Sequence, residues 1–327
     1  MIVVTGGAGF IGSALVHRLN QLGAEDILIV DVLGTDDKWR NLNGLVFEDY
    51  MERDEFRELV LRGNAFDDIN VDWVAHLGAC SATTERDAAY LMDNNYAFSQ
   101  EIAEWALARE ARFVYASSAA TYGAGEHGYS DVGPISQLRP LNGYAFSKQL
   151  FDIWAMRTGA LDQCAGIKYF NVFGPNEAHK EDMRSVVCKG FEQIRDTGRI
   201  RLFKSDRPEF GDGEQMRDFL YVRDAVAMTI FLLENTTANG LFNAGGGVAR
   251  TWNDLARAIF AALDKEPVIE YIDMPENLRG KYQYHTQAEI GKIRLAGYTA
   301  PITTLEDAVR DYVQNYLVPD LRLGEAG

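Results

Sequence analysis

A chain of 327 residues, 47% hydrophobic and 24% charged, has the makeup of a globular protein with room for one large domain or two moderate ones. Its formal charge of −16 argues against a nucleic-acid surface, which needs clustered Lys and Arg, and its longest plain apolar run, AVAMTIFLL, is far too short to span a membrane. Cys80, Cys164 and Cys188 are an odd set without metal-ligand spacing, and the chain runs into a strand with no basic leader, so a reducing cytoplasmic setting and no bound metal are expected.

The opening MIVVTGGAGFIGSALVHRLNQLG predicts a strand at Ile2 to Val4, a glycine turn, and a helix from Ser13 whose Leu15, Leu19 and Leu22 recur at helical spacing until Gly23. One glycine would suffice for a tight turn. Gly6, Gly9 and Gly12 stand three apart, and Gly7, Gly9 and Gly12 also fit G-x-G-x-x-G, which suggests that something bulky approaches the backbone. Residues without a Cβ let a pyrophosphate come close and let the helix pack tightly on its strand, while free N–H groups at the helix start face the anion. The next run, ILIVD, ends in Asp31, where an acidic side chain would reach the adenosine ribose hydroxyls. Lys38, Arg40 and Arg53 follow in stretches able to supply cations to an anionic ligand, as do Lys180, Lys204 and Arg217 further on.

GLVFEDY, VDWVAHLGA, ARFVYASS and AGIKYFNVFG read as further strands, alternating with helices around 52–62, 94–109 and 144–157. That rhythm predicts an α/β fold, a doubly wound parallel sheet of Rossmann type with ligands at the carboxyl ends of its strands. Residues 1–174 are expected to form the dinucleotide-binding domain, with returns at about 217–245, and 175–327 mainly a smaller interleaved substrate-binding lobe. There MRSVVCKGFEQIRD and Asp224 to Leu233 read as helices, and RDFLYV and GLFNAGGG as strands. Helices at about 252–264 and 303–316 bracket VIEYIDMPENLRGKYQYHTQ, whose Pro and Gly suit a lid or pocket wall.

The strand ARFVYASS carries Ser117 and Ser118 to the ligand edge, and GYAFSK puts Tyr144 and Lys148 one turn apart on one helical face. A phenol, with pKa ~10, becomes a base near neutral pH only if cations stabilise its phenolate, and Lys148 with a nicotinium ring would provide that field. A Ser118 hydroxyl could hold the substrate oxygen, so the predicted chemistry is hydride transfer at a carbinol carbon. His76, His179 and His285 form no metal pattern and are expected to be structural.

Through TGGAGFIG, ASSAATYG, GYAFSK and KYFNVFGP the chain resembles, over nearly its whole length, the extended short-chain dehydrogenase/reductase superfamily. LGACSATTERD, LMDNNY, NEAHKEDMRSV, RDFLYV and GKYQYHTQAE are similar to its ADP-heptose 6-epimerase branch of nucleotide-sugar epimerases. The resemblance implies an isomerase that inverts C6″ of an ADP-glycero-manno-heptose for lipopolysaccharide core synthesis, by transient oxidation to a ketone and re-reduction. It also implies a homo-oligomer, a pentamer in that branch. Ser118, Tyr144, Lys148 and Lys180 are the catalytic residues it implies. Lys180 in AHKED reads either as a second acid/base, needed because the ketone is reduced on its other face, or as an anion-binding loop lysine. Implied cofactor contacts are Gly6, Gly9, Phe10, Ile11, Gly12, Asp31, Lys38, Arg53, Leu77, Gly78, Ala79, Cys80, Ser81, Asn94, Lys148, Val172 and Lys180. Implied substrate contacts are Ser118, Asn171, Phe203, Arg217 and Tyr282. Asp31 by itself favours NAD, yet Lys38 and Arg40 would attract a 2′-phosphate and the branch uses NADP, so NADP is expected with NAD left open. A UDP-hexose 4-epimerase would keep Tyr144 and Lys148 without acid/base use of Lys180. A 4,6-dehydratase would carry an Asp-Glu pair at Ala119 and Ala120, and a non-catalytic redox sensor would have no need of Ser118, Tyr144 and Lys148 together.

Overall fold

In the computed structural model, which describes residues 1–63, 66–276 and 282–325, the first apolar run forms β1 (Ile2–Thr5), with a parallel neighbour on each side. Gly9 is the N-cap of α1 (Phe10–Gln21), so the helix begins three residues before Ser13 and contains Gly12. Then come β2 (Ile27–Asp31), β3 (Asp49–Glu52), α2 (Arg53–Arg62) and β4 (Trp73–His76). α3 (Ala88–Leu91) passes through one π turn, Met92–Ala97, into α4 (Phe98–Ala108), followed by β5 (Arg112–Ser118), α5 (Gly143–Thr158) and β6 (Ala165–Tyr169). Beyond lie β7 (Asn171–Phe173), α6 (Val186–Thr197), β8 (Ile200–Phe203), β9 (Met216–Tyr221), α7 (Val222–Glu234) and β10 (Gly240–Ala244). The chain closes with β11 (Ala249–Thr251), α8 (Trp252–Ala262), β12 (Ile269–Ile272), α9 (Gly291–Leu295) and α10 (Leu305–Tyr312).

The main sheet has seven strands in the order β10-β6-β5-β4-β1-β2-β3, parallel throughout. Its inner strands read as continuous buried runs, such as Ile27 to Val30, because helices cover both faces. Leu15, Leu19, Leu232 and Leu233 fill one face, and Phe56, Ile102, Phe113 and Phe151 the other, each fully buried side chain contributing about 1.5–3 kcal/mol. Strand order reverses between β1 and β4, so their carboxyl ends diverge into the crevice where such sheets bind ligands.

Three segments depart from the pattern read in the sequence. GLVFEDY becomes strand only from Asp49, because Asn20 pins Val46 in a loop through both its backbone groups, at 2.8 and 2.9 Å. AGIKYFNVFG splits at Phe170: β6 stays in the main sheet, whereas β7 pairs with β9 in a three-stranded sheet completed by antiparallel β11. RDFLYV therefore lies outside the main sheet, and within 217–245 it is α7 and β10 that return to it. β8 pairs with β12, and part of the expected lid, 277–281, falls outside the described residues.

β5, β6 and α5 are joined by a buried ion pair, Lys168 Nζ to Asp152 Oδ2 at 2.5 Å, both side chains at most 1% exposed. The Tyr115 hydroxyl donates to Asp152 Oδ1 (3.0 Å) and Ser117 Oγ to Oδ2 (2.8 Å), while Lys168 also donates to Thr121 Oγ1 (2.7 Å). Removing one partner leaves the other charge buried and uncompensated. Lys168→Met is expected to lower unfolding free energy by about 3–5 kcal/mol in urea melts, and Asp152→Asn/Lys168→Met by clearly less. An equal loss in both would show that shape, not charge compensation, accounts for the pair.

Candidate active site

The crevice starts at the glycine turn. Gly6 has φ +70°, and a Cβ there would lie 2.6 Å from the Gly78 nitrogen, so the loop from Leu77 to Ser81 is able to lie against it only because the residue is glycine. A Cβ on Gly12 would sit 2.0 Å from the Gly6 carbonyl oxygen. Gly9 offers no side-chain cap to α1, which leaves the first-turn amides at Phe10 and Ile11 to an outside acceptor.

Asp31, at the end of β2, accepts from the Ala8 and Val32 amides and pairs with Lys38 Nζ at 2.9 Å. Lys38 is placed by a short helical turn that Asp36 caps by accepting from its amide at 2.8 Å. Arg53, opening α2, hydrogen-bonds the Asn94 side chain and pairs with Asp54. The structure brings Gly6, Asp31, Lys38, Arg53, Gly78, Ala79, Cys80 and Asn94 around one recess of about 490 Å³. Thr5, Val32 and Tyr90 also line it and were not singled out in the sequence. The residues present fit a dinucleotide: a cradle that a Cβ would fill, an uncapped helix start, and cations at the far end.

Ser118 ends β5 and accepts from the Ala120 amide at 3.1 Å, which starts the tight turn Ala119–Tyr122. That turn carries alanines where a dehydratase would need its acids. Asn142 caps α5 by accepting from the Ala145 amide at 2.8 Å, which sets Tyr144 in the first turn and Lys148 one turn later. The Tyr144 phenol lies beside Ser118. Burial pushes the phenol above its ordinary pKa, and Ser118 opposes this. Burial pushes Lys148 down to about 8, with Asp152 and Cys80 opposing. A buried tyrosinate here needs positive charge beside it.

Lys180 follows β7 in a loop anchored to the glycine turn. Asn41 Nδ2 donates to the carbonyls of Ala8 (3.0 Å) and Asn176 (3.1 Å), and Asn176 Nδ2 donates to Ser13 Oγ (2.9 Å). Lys180 Nζ stands 5.2 Å from the Phe10 ring centroid, an arrangement that favours the cation. Burial lowers its pKa, opposed by Glu177, a buried carboxylate that accepts from the Ser185 amide and hydroxyl.

Phe203 on β8, Arg217 on β9 and Tyr282 meet in one cluster. The Tyr282 ring lies 6.2 Å from Phe203 and 4.9 Å from the Arg217 guanidinium, whose other aromatic neighbour is Trp252 at 5.6 Å. Arg217 is 6% exposed, donates to the Met216 carbonyl and makes no ion pair among the described residues, as expected of a cation awaiting an anion. Gln283, next to Tyr282, donates to the Gly123 carbonyl and so ties this cluster to the turn after Ser118. Asn171 is exposed on β7 and Val172, beside it, is half-buried. His76 bridges Thr5 and Ser99 and is held neutral by burial, its pKa down to about 3, while His179 contacts Asn41 and the His285 carbonyl accepts from Tyr129.

Asn95, Asp152 and Lys168 escaped the sequence reading. Asn95 accepts from the Cys80 amide (2.8 Å) and donates to the Cys80 carbonyl and Ser147 Oγ (3.0 Å each), clamping the cofactor-side loop to the helix of Tyr144 and Lys148. Asp152 had a signal, since it stands four residues after Lys148 on the same helical stripe.

Residues 2–245 match the NAD dependent epimerase/dehydratase family. The chain belongs to that family. It is 56% identical to an ADP-L-glycero-D-manno-heptose-6-epimerase of Nitratidesulfovibrio vulgaris, covering 97% of this chain and 98% of the relative. A protein of the same name from Fusobacterium nucleatum is 47% identical over 98% and 99% of the two chains. The crystal structure of the Helicobacter pylori ADP-L-glycero-D-manno-heptose-6-epimerase superposes with a TM-score of 0.81 at 28% identity, over 96% and 95% of the chains. Membership of this NAD dependent family implies a nicotinamide cofactor. Gly12→Ala is expected to raise the dissociation constant for reduced dinucleotide about 10- to 100-fold in fluorescence titration, since the inserted methyl meets backbone. Unchanged affinity would detach the turn from binding.

Proposed function

We infer that the protein epimerises ADP-D-glycero-D-manno-heptose to ADP-L-glycero-D-manno-heptose at C6″, an isomerisation that serves lipopolysaccharide core synthesis. One set of contacts carries the chemistry: Tyr144 sits beside Ser118 and on the helix that Asn95 ties, through Ser147, to Cys80 of the recess, while Gln283, next to Tyr282, donates to the turn after Ser118. The names of the close relatives supply the sugar. A bound nicotinamide supplies reversible hydride acceptance, so oxidation and re-reduction leave no net redox change. Tyr144 takes the proton of the C6″ hydroxyl while Ser118 holds the oxygen, and Lys148 stabilises the phenolate. Once the ketone has turned over, its oxygen no longer faces Tyr144, and Lys180 provides the proton there. Arg217 binds the pyrophosphate, with Phe203, Tyr282 and Asn171 around the rest of the nucleotide sugar. The three free thiols accord with a cytoplasmic enzyme.

NADP is the cofactor we assign. Asp31 would repel a 2′-phosphate if it stood free, but two amides and Lys38 already engage its oxygens, and Lys38 and Arg53 face the same recess. Lys38→Ala is expected to weaken NADP binding by about tenfold or more while changing NAD binding little, read by titration with each dinucleotide. Equal loss for both would leave the assignment without support.

Incubation with ADP-, UDP-, GDP- and dTDP-sugars, with product stereochemistry read by NMR, should single out the ADP-heptose with no growth of reduced-cofactor absorbance. Turnover of a UDP-hexose instead would make this a 4-epimerase. Tyr144→Phe is expected to cost about 10²- to 10⁴-fold in kcat, the share of a general base. Lys180→Met should slow turnover comparably, and unchanged kcat and KM would remove Lys180 from the mechanism.

A further inference from the structure

We propose that Asp152 and Lys168 form a positioning pair for the catalytic centre, fixing Lys148 and the Ser118 turn to each other and setting the electrostatic field at Lys148. The proposal rests on the hydride-transfer reading above and concerns residues that touch neither ligand.

The geometry is one of register. Tyr144, Lys148 and Asp152 follow at intervals of four along α5 and share a face. Asp152 is fully buried, so its carboxylate depends on protein partners: Tyr115 and Ser117 from β5 and Lys168 from β6. From Lys168 the chain of donors continues to Thr121 Oγ1, whose hydroxyl donates to the Ser118 carbonyl at 2.7 Å. One side of the pair thus carries the lysine helix, and the other carries the turn that presents Ser118.

Several titratable groups face Lys148. Tyr144 and Asp152 share its helix, Cys80 lies on the loop after β4, and His76 is on β4 itself, with Lys168 behind Asp152 on β6. Burial keeps His76 and the Cys80 thiol neutral near pH 7. The field at Lys148 is therefore governed by Asp152, offset by Lys168, and Asp152 also opposes ionisation of Tyr144. Asp152→Asn leaves the positive charge of Lys168 alone, so both Lys148 and Tyr144 should release protons at lower pH. Lys168→Met leaves the carboxylate alone and should move both to higher pH. A purely structural pair would damage the enzyme in both variants without this opposition of sign.

The test uses two readouts. In cofactor-free protein with 13C-labelled lysine, assigned with Lys148→Met, the Lys148 side-chain resonance should titrate near pH 8. Its midpoint should fall by about one unit in Asp152→Asn and rise by a similar amount in Lys168→Met, with Asp152→Glu closer to wild type than Asp152→Asn. In the holoenzyme, the pH profile of kcat should move in the same two directions while KM changes little. Ser117→Ala, which deletes one donor to the carboxylate and keeps both charges, is the milder variant and should give a smaller shift to higher pH. Midpoints that stay put, or move the same way in Asp152→Asn and Lys168→Met, would overturn the proposal; if neither folds, an unmoved Ser117→Ala would do so. Activity surviving in Tyr144→Phe would instead overturn the hydride-transfer reading, and the lysine titration, which needs no substrate, would still decide the pair.

Discussion

A carboxylate with no exposure to water must find all its partners within the fold, and at Asp152 that requirement joins three elements. Tyr115 and Ser117 come from β5, Lys168 from β6, and Asp152 itself from α5. Main-chain hydrogen bonds align β5 with β6, but they do not specify how α5 is rotated over them. The ion pair does so by allowing one helical face to look down, and that face also holds Tyr144 and Lys148. The placement of the residues we infer to be catalytic therefore follows from satisfying a buried charge.

The same logic separates surface from site. The chain is strongly acidic, and several of its arginines are held in exposed pairs such as Arg62 with Glu58 or Arg195 with Asp196. Such pairs contribute little. Three other cations are less exposed and differently partnered: Lys38 beside Asp31, Lys180 over Phe10, and Arg217 among aromatic rings. Such cations keep more of their field than exposed ones do, because less water screens them.

What the sequence revealed depends on the range over which each feature is encoded. The glycine spacing, the ILIVD strand and the Tyr144/Lys148 pair are local patterns; Gly6 and Asp31 line the recess, and Tyr144 and Lys148 share one face of α5. The cluster of Phe203, Arg217 and Tyr282 came from family likeness, because no local pattern links residues so far apart. β7 leaving the main sheet was not legible, since KYFNVFG reads as one strand-like run and only the choice of partner strand distinguishes its halves. Asp31 was read as reaching the ribose hydroxyls, and its pairing with Lys38, seven residues on, is a contact that reading did not include. Asn95 and Lys168 matter through contacts about 50 and 16 residues away in sequence, beyond any periodicity.

The two lysines assigned to proton handling have parallel surroundings that differ in one respect. Each is desolvated and each has a buried carboxylate opposing the loss of its charge, Asp152 for Lys148 and Glu177 for Lys180. Asp152 is tied to a second cation, and its field belongs to a network that cannot rearrange without breaking the core. Glu177 is held by Ser185 through neutral hydrogen bonds, and burial raises its own pKa, so the Lys180 loop has no such fixed counter-ion. A lysine in a fixed field suits a constant charge that supports a phenolate. A lysine whose neighbour can itself bind a proton suits the exchange with substrate that we infer for Lys180.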